Sequence, residues 1–142
     1  METMRTFDGF IDTFGSLDWI AIIVATLVVT VILATIFYGP TPIGKKWAAE
    51  AGVPFSMKLE PKRDITGFIL ALILQIGVAF LGAFDDIEHS LVTALLITFL
   101  ILMPLRYGMV LWAKGSKTTA LIDTVYVFFA IGVGGYIQGL FA

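Results

Sequence analysis

Four runs of apolar residues, each about the length of a membrane-crossing helix, organise the chain. The first, Trp19 to Tyr38, carries no charge, and neither does the second, Ile65 to Phe84. The third runs from about Ser90 to Ala113 and contains Arg106; the fourth runs from about Thr119 to Ala142 and contains Asp123. A helix needs roughly 20 mostly apolar residues to cross a ~30 Å hydrocarbon layer, so each run predicts one span. Membrane strands would appear as short alternating segments, and these runs are continuously apolar. The predicted fold is all-α: a single integral membrane domain built as a four-helix transmembrane bundle.

Two weaker patterns flank the first span. Upstream, Met4, Phe7, Phe10/Ile11, Phe14 and Leu17 recur at helical spacing, with Asp8, Asp12 and Asp18 between them. That predicts a short amphipathic helix lying on the membrane surface. The acidic opening, with no small-residue cleavage site, does not read as a signal peptide. Downstream stands YGPTPIGKKW, Tyr38 to Trp47. Gly39 and Pro40 end the span. Thr41 is a good N-cap and Pro42 a good first helical residue. A short interfacial helix is predicted from Pro42 to about Ala51, with Gly52 as its stop. Ile43, Trp47 and Ala51 share one face of it, with Trp47 in the interface and Lys45 and Lys46 towards anionic lipid heads. Beyond it lies a polar linker broken by Pro54 and Pro61, with Asp64 or Thr66 able to cap the next span.

Composition agrees with the pattern. The chain has 142 residues, 58% hydrophobic and only 14% charged, where a soluble domain carries about a quarter charged residues. There is no Cys, which excludes disulfides, thiolate metal sites and a Cys nucleophile. The formal net charge of -2 gives no sign of nucleic-acid binding. What matters is where the charges fall. With four spans, the 39–64 and 114–118 loops share one side and hold Lys45, Lys46, Lys58, Lys62, Arg63, Lys114 and Lys117; the opposite side holds only Arg5. Seven basic residues against one predict the basic loops in the cytoplasm and both termini outside it. The outer face is then acidic, with Glu2, Asp8, Asp12, Asp18, Asp85, Asp86 and Glu88. The location implied is a membrane with the basic loops on its cytoplasmic side.

Tyr38, Pro40, Gly44 and Trp47 form a Tyr-x-Pro-x-x-x-Gly-x-x-Trp spacing directly after the first span. This resembles the signature of DUF1761, a bacterial family of small four-span membrane proteins of unknown function. LIDTVY, Leu121 to Tyr126, is similar to that family's other recurring segment. Phe37 stands where the pattern usually has Trp, and the last loop is shorter than usual. The resemblance supports the architecture, covers the chain from about Trp19 onward, and brings no catalytic residue with it.

Ionisable groups inside the apolar layer are costly and often functional. Arg106 lies nine residues before Gly115, and Asp123 eight residues after it. In an antiparallel hairpin the two reach nearly the same depth, where a pair would satisfy both charges. Pro104 should bend the helix near the pair, and Tyr107 and Tyr126 stand close enough to add hydrogen bonds. Arg106 snorkelling to the surface, with Asp123 marking a boundary, and an ion or proton pathway are the alternatives. Gln75 sits at the centre of the second span; counting through the 85–89 loop puts Thr98 near its level as a partner. Gly77, Ala79, Gly82, Ala83, Gly132, Gly135 and Gly139 supply small-residue packing faces.

The outer loop FDDIEHS offers Asp85, Asp86, Glu88 and His89 as donors, but the chain has a single His, and no metal site is assigned. No phosphate loop, HExxH or nucleophile–His–acid set is present, so neither a catalytic residue nor a cofactor is assigned. The reading that remains is a structural or accessory subunit in contact with membrane lipids, with other membrane subunits or with itself. A homo-oligomeric transporter or channel stands second and a lipid-modifying enzyme third.

Overall fold

The computed structural model describes residues 7–52, 61–81, 86–113 and 116–141, which are helical with short caps and turns between. Helix α1 is Phe7–Gly15. Helix α2 is Trp19–Val28, a π turn Val29–Leu33, and Ala34–Tyr38. Helix α3 is Pro42–Ala51 and α4 is Pro61–Phe80. Helix α5 is Ile87–Ile97, a π turn Thr98–Leu102, and Met103–Ala113. Helix α6 is Lys117–Leu140. Three stretches are long and apolar enough to cross a membrane: Trp19–Tyr38, Ile87–Leu111 and Lys117–Leu140. Asp64–Phe80 is a shorter apolar helix.

Side chains at the helix starts explain where each begins. Asp18 accepts from Ala21 N at 3.1 Å. Asp86 accepts from His89 N at 2.6 Å, which starts α5 before the apolar run itself. Ser116 accepts from Thr118 N and Thr119 N and starts α6. For α4 the expectation is corrected. Asp64 lies in the first turn rather than at the cap. Thr66 donates back to Lys62 O at 2.7 Å from inside the helix. Pro61, expected to break the linker, instead opens α4; linker residues 53–60, Gly82, Ala83, Asp85 and Gly115 lie outside the described residues.

The two π turns have visible causes. Val28 to Ile32 is an unbroken run of β-branched residues, whose crowding against the preceding turn disfavours a tight α-helix. In α5 the π turn ends two residues before Pro104 and contains Leu100, four residues back from it. There the proline has no N–H and its ring clashes with the carbonyl four residues back, which loosens that turn.

Helix α6 is the hub, packed against α2, α3, α4 and α5. Within lipid, helices gain little from hiding apolar surface; close packing and hydrogen bonds hold them. Five of the nine buried positions of α6 are accordingly Ala or Gly: Ala120, Ala130, Gly132, Gly134 and Gly135. Val29, Leu33 and Phe37 of α2 pack on Ala130. Val78 of α4 and Ala94 of α5 pack on Ile131. A methyl at Gly132 would touch Ala94 Cβ at 3.6 Å, and Ser90 of α5 donates its hydroxyl to the Gly132 carbonyl. The outward residues are large and apolar, among them Ile20, Leu27 and Val31 of α2 and Leu95, Leu96 and Leu100 of α5. Helix α1 is anchored by Phe14, which meets Trp19 edge-on at 5.1 Å and stacks on Phe80 at 6.3 Å.

Candidate functional site

Four side chains from four helices converge where α2 ends. The centre is Asp123, six residues into α6. Its Oδ2 accepts from Arg106 Nε at 3.0 Å and Nη2 at 2.9 Å. Its Oδ1 accepts from the Tyr38 hydroxyl at 2.7 Å and from Trp47 Nε1 at 3.0 Å. Arg106 and Asp123 are thus an ion pair, with side chains 27% and 21% exposed. Each carboxylate oxygen holds two donors, and charge-assisted bonds of this kind are about twice as strong as neutral ones. The aromatic rings close the node: Tyr38 meets Trp47 and Tyr126 edge-on, both at 5.1 Å. Tyr38 supplies the hydroxyl to the pair, while Tyr126 contributes its ring.

The corner after α2 is built to deliver Trp47. Gly39 caps α2, its N–H reaching Thr35 O at 2.9 Å. Thr41 then caps α3, accepting from Gly44 N at 3.0 Å, with Pro42 at the first helical position and Gly52 closing the helix at φ 70°. The chain folds back so tightly that a Cβ at Gly44 would overlap the backbone of Gly39 and Tyr38. Pro40 lies exposed at the outside of the bend. The face of α3 differs from the expected one. Gly44 and Ala48 are buried, whereas Ile43 is exposed and Trp47 turns its indole N–H inward to Asp123. The far end of α3 is tied to the start of α6 by Ser116 Oγ, which donates to Glu50 at 3.3 Å.

A second polar contact lies deeper and corrects a sequence expectation. Gln75 is buried, but its partner is not Thr98. Its Nε2 donates to Ala130 O at 3.1 Å. Gln138 Nε2 donates to Gln75 Oε1 at 3.0 Å and to Gln75 O at 3.1 Å. The reason is packing: α4 lies against α6, and Gln75 fits over Gly134, where any Cβ would overlap its amide. Thr98 is buried at the start of the π turn, and its hydroxyl has no hydrogen-bond partner among the described residues. Gln138, the second amide in an apolar run, was the signal that sequence counting passed over.

At the other end, Asp86 and Glu88 are exposed. Among the described residues no group of three or more His, Asp or Glu side chains gathers; Asp85 is outside them.

Chemically, the Asp123 node is a saturated acceptor. It joins the ends of α2 and α3 to the α5–α6 hairpin. Both segments singled out by the resemblance meet there, since Tyr38 and Trp47 come from one and Asp123 from the other. A family model described as "Protein of unknown function (DUF1761)" matches residues 20–139. No curated protein and no solved structure matches the chain.

Proposed function

The chain belongs to the DUF1761 family, and we propose that it is a multi-pass protein of the bacterial cytoplasmic membrane serving as a structural or accessory subunit of a membrane complex. Four spans are proposed, Asp64–Phe80 with the apolar residues after it making the fourth. Both termini lie outside the cytoplasm, on the strength of the Lys and Arg asymmetry.

The observation that carries the subunit role is the occupancy of Asp123. An intramembrane carboxylate serves either as a structural tie or on an ion or proton path, and four donors from three other helices on one carboxylate favour the tie. Asp123 spends both oxygens on Tyr38, Trp47 and Arg106. Gln75 of α4 and Gln138 of α6 likewise bond to each other, and Gln75 also donates to Ala130 O of α6. These polar groups set helix positions and leave long apolar faces outward for lipid or neighbouring subunits.

Gentle solubilisation followed by native mass measurement tests the role. Co-purification with a larger complex is the expected result. A defined homo-oligomer, with liposome flux that depends on Asp123 or Gln75, overturns it in favour of a transporter. The topology is tested separately by a reporter fused to the C-terminus, where cytoplasmic activity would sink it.

A further inference from the structure

We infer that Arg106 forms the core of a binding site for the phosphate of an anionic phospholipid. A guanidinium carries five N–H donors in a rigid fork. Asp123 takes one from Nε and one from Nη2, both into a single oxygen. Three donors, including both on Nη1, lie beyond that pair, and the side chain is 27% exposed. A planar edge of this kind matches two phosphate oxygens.

The surroundings favour an anion. Arg106 and Asp123 are together neutral, so the guanidinium contributes its remaining N–H donors and the net positive charge comes from the lysines nearby. Lys45 and Lys46 are exposed on α3, beside the Trp47 that is bonded to the same carboxylate. Lys117 opens α6, about 9 Å along the helix from Asp123 at 1.5 Å per residue.

The depth favours a lipid over a free anion. Arg106 stands about 10 Å along α5 from its end at Ala113, and Leu105 and Met109 beside it are exposed and apolar. A headgroup reaching Arg106 would lay its acyl chains along that surface. The inference rests on the membrane placement proposed above, which the terminal reporter tests independently, and not on the subunit role.

The test uses the full chain in detergent with an equimolar mixture of phosphatidylglycerol and phosphatidylcholine, read by native mass spectrometry. One phosphatidylglycerol should be retained preferentially, by roughly fivefold per basic residue engaged. Arg106→Lys keeps the charge beside Asp123 but removes the fork, and should weaken the preference severalfold; an unchanged preference in a folded Arg106→Lys overturns the proposal. Lys45→Gln with Lys46→Gln, both exposed, should reduce it even if Arg106→Lys fails to fold. Equal retention of the two lipids by the wild type overturns the proposal, as does an unchanged preference in the lysine double variant. Displacement of the lipid by excess inorganic phosphate would mark a free-phosphate site and overturn the lipid assignment.

Discussion

Trp47 donates its indole N–H to Asp123 at 3.0 Å across 76 residues of chain. That bond makes the short helix α3 part of the packed structure rather than a raft on its surface. Trp47→Phe keeps an aromatic edge against Tyr38 but removes the donor. The expected cost is about 1.5–3 kcal/mol, as for a hydrogen bond to a charged group. Limited proteolysis should then cut faster within residues 39–52 while the remaining helices stay protected. An unchanged cleavage pattern would mean the bond does not hold α3.

Exchanging Arg106 and Asp123 should not restore stability. In a simple pair the swap preserves the attraction. Here it would put a guanidinium against the Tyr38 hydroxyl and the Trp47 N–H, both already donating. Asp123→Asn and Arg106→Leu should each destabilise by about 2–4 kcal/mol, since each leaves a half-buried charge unpaired. The exchange should be no better than either single variant in thermal unfolding in detergent. Full rescue would show that the tyrosine and the tryptophan are bystanders.

Gly44→Ala should be among the most damaging single-methyl changes. The added Cβ would overlap backbone atoms of Gly39 and Tyr38, which cannot swing aside. A loss above ~2 kcal/mol is expected, as for overpacking. Gly67→Ala and Gly77→Ala are the controls, because nothing lies within 4 Å of either new methyl. They should be neutral or stabilising by about 0.5–1 kcal/mol through helix propensity. Equal effects at all three sites would refute the tight corner.

Thr98→Val should leave stability unchanged or raise it by about 1 kcal/mol, because it removes a buried hydroxyl that makes no bond among the described residues. Gln75→Leu is the opposite case. It strands one donor of Gln138 and forces a branched side chain over Gly134, and should cost about 1–3 kcal/mol. Combined with Gln138→Leu the loss should be less than the sum of the two single losses. Additivity would show that the two amides act separately.

Much of the frame was legible because membrane physics writes it plainly. Apolar runs gave the long helices. Thr41, Pro42 and Gly52 marked both ends of α3 through local backbone preferences. Counting outwards from Gly115 brought Arg106 and Asp123 to one level, since a short hairpin leaves little freedom. The same counting misplaced Gln75, because it assumed that helices adjacent in sequence are adjacent in space, whereas α4 rests on α6. Tyr38 and Trp47 were visible as a spacing but not as donors. Their reach to Asp123 depends on how α2 is rotated and on how closely Gly44 lets α3 approach, and neither is encoded locally.

The π turns carry one more consequence, and it concerns descent. Each residue of an α-helix advances the side-chain direction by ~100°. In α2 and α5 the wide turn absorbs one extra residue midway, so the two halves of each helix are out of phase with a regular spiral. Trp19 is aligned by the first half of α2, Tyr38 and Arg106 by the second halves of their helices. Removing a single residue from 29–33 or 98–102 would swing Tyr38 or Arg106 a quarter-turn or more away from Asp123. These spans can exchange one apolar side chain for another freely, but they cannot change length by one without disconnecting the two ends of the molecule.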